Sequence, residues 1–298
     1  MADIDLSLAI PSHHAAEYIL AHEKFPDARA SFLDAVLKLY DGDALLTRLM
    51  VEAARQVMFS AILSLDASRD PDNPATLPTL GLLKQQMAIY GLSSPRRIES
   101  LLAVLSHSGY LGSAFAEHDR RLRVLKPTEK MRATDRNWWA AQFLPLQVMF
   151  PDPGYQPVMQ RDPMFHGSLR RAAMQAFAQG AKILGGNPDM MLFMQRDAGV
   201  LILFQLAQTA GAPGGREVEP DHKAIAARFG ISRTHVQNVV QEAIATGLIA
   251  TSEQNGRLLV LTSRVWRALD RFLADCMSAN DMLFNMSQRE FERVPRVR

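Results

Sequence analysis

The chain has 298 residues, of which 48% are apolar and 21% charged, and its formal net charge at pH 7 is +2. This composition excludes a disordered or fibrous protein, and the length fits two globular domains. Because the total charge is nearly balanced, any binding to nucleic acid must come from local clusters of Arg and Lys.

The N-terminal segment and the apolar runs argue against export and against a membrane span. The segment up to His14 lacks a basic stretch followed by a long apolar one, so we expect no secretory signal. The most apolar run, Gly199 to Ala207, is far shorter than the roughly 20 residues that cross a bilayer. The single cysteine, Cys276, excludes an intramolecular disulfide framework and fits the reducing cytoplasm.

Helical periodicity dominates the sequence and predicts a mainly α protein with small β-wings. We divide the chain into an N-terminal tail (1–29), a first domain (30–135), a connector rich in Pro and aromatic residues (136–165), and a second domain with a C-terminal helix (166–298). The His13-His14 pair falls in the tail, which we expect to be mobile. Apolar residues recur at intervals of three and four in 32–40, 45–65, 169–184, 190–208 and 265–286.

The first domain carries the pattern of a helix, a tight turn and a second helix. A helix from about Thr79 to Tyr90 ends at Gly91, a residue suited to a left-handed turn. Ser94 can then cap a second helix that has Pro95 at its first position. The residues of this second helix that recur at core spacing are Ile98, Leu101, Leu102 and Leu105.

A predicted β-hairpin follows this second helix, from about Gly112 to Leu125. Leu122 and Val124 alternate with two arginines there, as in a half-buried strand. The sequence HDRR (118–121) lies near its tip and makes this hairpin the most basic cluster of the chain. Such a hairpin could contact phosphates or the minor groove.

The same order of elements returns in the second domain. Asp221 can cap a short helix, Gly230 can end it, and Ser232 can cap a second helix. After this helix, apolar residues flank Asn255-Gly256, a strong signal for a tight hairpin turn. The core positions predicted in the second helix are Val236, Val239, Val240 and Ala243.

This internal repeat predicts tandem winged helix-turn-helix domains around a shared helical body. The second helix of each copy would read the major groove, with Glu99 unfavourable toward phosphate unless it points away. The candidates for base contacts are Arg96, Arg97, Arg233, Gln237 and Asn238. The full candidate DNA-binding set is Arg96, Arg97, Ser100, Arg120, Arg121, Arg123, Ser232, Arg233, Thr234, His235, Gln237, Asn238, Gln241 and Arg257.

Two pairs of segments resemble a known family. LSHSGYL followed by VLKPTEKMRA, and AIATGLI followed by LVLTSRVWRAL, are similar to the recognition-helix end, wing and exit of MarR-type winged-helix regulators. The resemblance covers roughly 79–132 and 220–270. Members of that family usually bind DNA as homodimers of chains about half as long. Here two units share one chain, and the first exit, KPTEKM, lacks the family's glycine.

The resemblance implies a pseudo-dimer that regulates transcription, of the repressor type, by binding double-stranded DNA. The two recognition helices would enter successive major grooves about 34 Å apart and read an asymmetric operator. Two chains could further pair as a homodimer through 265–286. Two other functions stay open: a plasmid-type replication initiator with tandem winged helices, and a winged-helix scaffold that binds only protein.

The connector offers a candidate pocket for a small apolar effector, lined by Trp138, Trp139, Phe143 and Phe150. The alternative is that these aromatic residues only pack the junction between the halves. The eight histidines are scattered, and the pair in the tail has no acidic or thiol partner at metal-ligand spacing. Neither GxSxG nor GxxxxGK[ST] occurs. We therefore expect no enzyme, no metal and no cofactor.

Overall fold

The structure is a computed structural model that describes residues 12–41, 47, 50–91, 94–117, 119–178, 180, 185–252 and 257–293. The prediction of a mainly α protein with two small antiparallel sheets is confirmed. The helices are α1 (Ala16–Ala21), α2 (Phe25–Lys38), α3 (Ala53–Ala67), α4 (Leu80–Tyr90), α5 (Pro95–His107), α6 (Glu129–Met149), α7 (Gln156–Met159), α8 (Pro163–Gln175), α9 (Pro188–Met194), α10 (Gly199–Ala210), α11 (His222–Phe229), α12 (Arg233–Ala245) and α13 (Ser263–Arg293). The strands are β1 (Leu111–Phe115), β2 (Arg123–Pro127), β3 (Ile249–Thr251) and β4 (Leu259–Leu261).

Helices α4 and α11 end in the same way, and helices α5 and α12 begin in the same way. Gly91 ends α4 with φ 61° and Gly230 ends α11 with φ 65°, a left-handed conformation that glycine adopts without steric cost. The Ser94 hydroxyl accepts a hydrogen bond from the Arg97 amide, and the Ser232 hydroxyl accepts one from the amide of His235. These two left-handed glycines and these two serine caps confirm the predictions for Gly91, Gly230, Ser94 and Ser232.

Both hairpins have the same attachments. β1 pairs with β2 and β3 with β4, and each second strand also bridges a residue that precedes the helical pair, Val124 to Thr79 and Leu259 to Val218. The hydroxyl of Thr128 donates to the carbonyls of residues 109 and 110, and the hydroxyl of Thr262 donates to those of 247 and 248. Each hairpin is thereby fixed between a helical pair and the helix that follows.

The helices of the two repeats pack reciprocally. Within a repeat, α2 lies against α6 and α8 lies against α13. Between repeats, α3 packs on α8 and α10 packs on α2. This exchange is the pattern of a two-fold relation, in which each half offers the other the same surface. The apolar side chains of both halves form one continuous core.

Polar contacts tie the N-terminal helices to α13. Arg29 and Asp270 form a partly buried ion pair at 2.9 Å. The backbone amide of His14 donates to Asp281, and the ring Nδ1 of His14 lies 2.7 Å from the same carboxylate. The expectation of a mobile tail was therefore wrong at His14, because its partner is distant in the sequence and no local pattern reveals it.

The apolar periodicity over 190–208 extends over two helices. Helices α9 and α10 meet at an angle of 110°. Ala198 has φ 54°, and a Cβ on Gly199 would lie 2.2 Å from the carbonyl oxygen of Phe193. A close backbone approach thus breaks the helix without interrupting the apolar pattern.

In the described ranges no single helix is long and apolar enough to cross a membrane. The bent pair α9 and α10 reaches the required length and hydropathy only when its two helices are counted together.

Several predicted boundaries fall inside helices. The boundary at residues 135 and 136 lies within α6, whose apolar face continues past the tryptophans and includes the buried Pro145. The N-terminal segment 1–29 includes α1 and the start of α2. The predicted helix over 45–65 is seen from Ala53 onward, and residues 45, 46, 48 and 49 lie outside the described residues, as do 181–184 of the stretch 169–184.

Candidate nucleic-acid interface

Helix α12 presents a polar outer face. The four predicted core positions, Val236 among them, are buried. Their burial turns Arg233, Thr234, Asn238 and Gln241 outward as exposed side chains, with Gln237 half-buried beside them. An arginine and several amides at the start of an exposed helix are the groups that contact phosphates and base edges in a major groove.

Two of the residues predicted for α12 hold the helix in place. The ring Nε2 of His235 lies 2.8 Å from the carbonyl oxygen of Asp197, in the segment before α10. Ser232 uses its hydroxyl as the N-cap. Farther along α12, Glu242 accepts two hydrogen bonds from the guanidinium of Arg196, at 2.9 and 2.6 Å. These contacts fix the orientation of α12 relative to the start of α10.

Helix α5 is less open than α12. Arg97 pairs with Glu52 at 3.0 Å, and Glu99 pairs with Lys84 at 2.5 Å. Ser100 donates its hydroxyl hydrogen to the carbonyl of Arg96. The guanidinium of Arg96 has no hydrogen-bond or ion-pair partner within the described chain. Arg96 is therefore the most available cation of α5, and the carboxylate of Glu99 is partly neutralised.

The first turns of α5 and α12 are connected through one junction. Arg97 and His235 occupy the same position after their capping serines. Arg97 binds the segment that precedes α3, and His235 binds the segment that precedes α10. These two segments meet where the amide of Ala198 donates to the carbonyl of Val51 at 2.9 Å. A movement at this junction would therefore change both helices together.

The hairpins carry the remaining predicted arginines. Arg120, Arg121 and Arg123 are all exposed, and Arg123 donates to the hydroxyl of Ser113 at 2.8 Å. Arg257 is exposed on the turn side of the second hairpin, just before β4. The predicted turn Asn255-Gly256 and His118 lie outside the described residues.

Arg233 also shapes the electrostatics at the start of α11. Burial and the nearby positive charge of Arg233 lower the pKa of His222, although Asp221 acts in the opposite direction. His222 is therefore neutral at neutral pH. The guanidinium of Arg233 makes no hydrogen bond or ion pair within the described chain, so its charge is available to a ligand.

The predicted effector residues divide into two groups. Trp138 and Trp139 line a cavity of about 600 Å³, but Phe143 and Phe150 are not among its lining residues. Phe143 is fully buried against Tyr155 and other rings, and Phe150 stacks on His14 at 3.9 Å. For these two phenylalanines the alternative of simple packing is correct, because they lie on another face of α6 or beyond its end.

A buried polar cluster beside this cavity was missed by the sequence analysis. Asp135, His166 and Arg170 are all buried, and Asp135 accepts hydrogen bonds from Arg170 while His166 Nε2 lies 2.6 Å from it. Burial by itself raises the pKa of Asp135, but the charge of Arg170 and the hydrogen bonds from both partners outweigh it and hold that pKa below its usual value. The three residues come from two helices, so no local spacing signals the cluster.

The described residues include no cluster of three or more His, Cys, Asp or Glu side chains that could hold a metal ion. Burial raises the pKa of the Cys276 thiol to about 12, so it remains protonated. No protein-family model matches the chain, and comparisons with curated proteins and with solved structures gave no match.

Proposed function

We propose that the chain is a sequence-specific, DNA-binding transcriptional regulator, MarR-like and of the repressor type, acting in the cytoplasm. In this proposal the two repeated units are tandem winged helix-turn-helix domains around a shared helical body. The observation that carries it is the exposed first turn of each second helix, where Arg96 and Arg233 have no hydrogen-bond or ion-pair partner within the described chain. The proposal includes no catalytic residue and no cofactor.

The construction of each unit supports this assignment. A capped helical pair, a hairpin bridged by a single residue that precedes this pair, and a following helix are the elements of a winged helix. The exposed arginines of the hairpins add cations beside the second helices. Because phosphate contacts supply much of the affinity for DNA, this arrangement favours a duplex as the partner.

The two units would contribute unequally. Helix α12 exposes Asn238 and Gln241, whose amides can read base edges, whereas α5 exposes Arg96 beside paired charges. We therefore expect α12 to supply most of the base discrimination and the α5 unit to supply mainly phosphate contacts. The operator would be asymmetric, with one half-site more strongly defined than the other.

The first test is a salt titration of binding to fragmented genomic DNA, followed by sequencing of the bound fragments. We expect recovery of a few promoter fragments, with an affinity that falls steeply as salt rises, because bound Arg and Lys displace counterions from phosphates. Recovery of an array of repeated sites would favour the replication initiator instead. Recovery at background level for all fragments would contradict DNA binding.

Three variants test the assignment of residues. Arg233→Ala should lower the affinity about tenfold and reduce the slope of log K against log salt by about one, the change expected for one lost phosphate contact. Asn238→Ala should relax the preference at one base pair and leave the slope nearly unchanged. Arg289→Ala removes an equally exposed charge from the far end of α13 and serves as the matched control. Equal effects from Arg233→Ala and the control would contradict the assignment.

A protein-binding module is the second candidate, and the surface of the first unit favours it. Val104 on α5 is 41% exposed and Phe115 on β1 is 65% exposed. Large exposed apolar side chains favour a protein contact more than a contact with phosphates. Capture of a protein partner that Phe115→Ser abolishes, together with background recovery of DNA, would support this candidate.

A further inference from the structure

A cavity of about 600 Å³ lies between the two repeats, and its walls come from α2, α3, α6, α8, α10 and α13. This volume falls within the range of small-molecule sites and far exceeds that of a single water molecule. Most of the walls are apolar. Representative lining residues from both repeats are Phe32, Val36, Phe59, Leu201, Phe204 and Phe272.

One polar side chain in these walls has no partner. Asn280 on α13 is 9% exposed, and its amide makes no hydrogen bond within the described part of the chain. The indole N–H of Trp139 also has no acceptor, but it is buried inside the wall and does not open into the cavity. Since polar side chains in protein interiors are nearly always hydrogen-bonded, Asn280 points to a ligand that supplies the missing bond.

The charges at the cavity are already balanced. Asp135 and Arg170 pair with each other, and Arg196 is held by Glu242. The thiol of Cys276 is protonated. No lining cation of the described residues is left to receive a carboxylate or phosphate, and an uncompensated charge in an apolar site is strongly unfavourable. The walls therefore favour an uncharged molecule.

We infer that this cavity binds a neutral, mostly apolar small molecule that carries a carbonyl-type hydrogen-bond acceptor, with Asn280 as its polar contact. The cavity also reaches Val51 and Ala198, the residues joined at the junction that connects α5 and α12. Binding would thus fix the relative orientation of the two helices. This regulatory step rests on the proposed function, whereas the binding site itself does not.

The test uses three naphthalene probes of matched size on the full chain: 2-acetylnaphthalene, 2-ethylnaphthalene and 2-naphthoate. Binding is measured by quenching of tryptophan fluorescence, because Trp138 and Trp139 line the cavity. We expect the ketone to bind about five- to tenfold more tightly than the hydrocarbon, the difference made by one neutral hydrogen bond, and the anion to bind more weakly than both.

Variants locate the site. Asn280→Leu should remove the preference for the ketone. Ala173→Phe places a ring in the cavity and should abolish binding of all three probes. Asn285→Leu, on the same helix but bonded to Ser12 outside the cavity, is the matched control and should bind like the wild type. Circular dichroism confirms that each variant is folded.

Two results would overturn the inference: equal affinity for the three probes, or binding that Ala173→Phe leaves intact. Absence of binding by the wild type would overturn it as well.

A second arm of the test repeats the DNA titration with and without the ketone, and we expect the affinity for DNA to change. Ketone selectivity in a protein that binds no DNA would contradict the proposed function and support the binding site.

Discussion

At the scale of single residues, similar side chains around α5 and α12 have different tasks. Arg97 and Arg96 are neighbours in sequence, yet Arg97 is held by Glu52 while Arg96 points to solvent without such a partner in the described chain. Likewise His235 holds the helix through Asp197, and Arg233 is available. Local sequence patterns predicted the positions of both helices. They could not show which polar residues bind another part of the chain and which have no such partner, because those partners are remote in the sequence.

Asp135 is the residue whose loss should be most costly. Asp135→Asn leaves the buried Arg170 without its counter-charge, and breaking a buried ion pair in this way lowers the free energy of unfolding by about 3–5 kcal/mol. Urea unfolding at pH 7 measures the effect. Asp72→Asn, at an exposed loop carboxylate, is the control and should stay within about 0.5 kcal/mol of the wild type.

The same variant gives a pH test with a defined sign. Because the pKa of Asp135 is lowered in the folded protein, its contribution is complete above the usual aspartate pKa of about 4 and is lost as the pH falls below that value. The difference in stability between wild type and Asp135→Asn should therefore narrow below about pH 4. A difference that stays constant down to acidic pH would contradict the proposed role of this carboxylate.

At the scale of elements, local signals were sufficient where the physical cause is local. Serine caps, left-handed glycines and apolar stripes placed α4, α5, α11 and α12 correctly, because each depends on hydrogen bonds and spacing within a few residues. The break between α9 and α10 depends instead on how closely Gly199 approaches the preceding helix, and the apolar pattern runs through it unchanged. The extension of α6 into the expected connector was missed for a related reason, since its buried Pro145 resembled a linker residue.

The turn at Gly199 yields the second stability prediction. A methyl group on residue 199 would lie 2.2 Å from the backbone oxygen of Phe193, an atom that cannot rotate away. Gly199→Ala should therefore lower the free energy of unfolding by about 3 kcal/mol or more, in the range of severe steric substitutions. Thermal unfolding followed by circular dichroism measures it.

Gly81→Ala is the matched control for this turn. Gly81 lies within α4, and the nearest atom to an added methyl group would be the Thr79 hydroxyl at 3.8 Å. This variant should be neutral or up to about 1 kcal/mol more stable, because alanine favours a helix. Similar losses in both variants would show that the contact with Phe193 is not the cause.

At the scale of the whole molecule, the repeat was visible in the sequence but its assembly was not. Capping residues and hairpin signals in equivalent order identified two copies. Helix α3 packs on α8, and α10 packs on α2, through apolar faces. Any hydrophobic core could bury such a face, so the sequence does not show which helix each face contacts. These contacts between the repeats form the central cavity. Of its lining residues the sequence analysis predicted only the two tryptophans, because it could not identify which helices meet there.

This exchange predicts that the halves unfold together. Each repeat buries helices of the other, and Arg228 of α11 donates to the carbonyl of Leu37 in α2, so neither half keeps its core alone. Calorimetry should show one transition with matching calorimetric and van't Hoff enthalpies. Ile98→Val in the first repeat and Ile225→Val in the second each remove one buried methyl group. Each variant should lower the midpoint temperature of the single transition by a similar amount, about 2 °C. Two transitions, each shifted by only one of the variants, would mean that the repeats are independent domains and that the junction cannot transmit a change between α5 and α12.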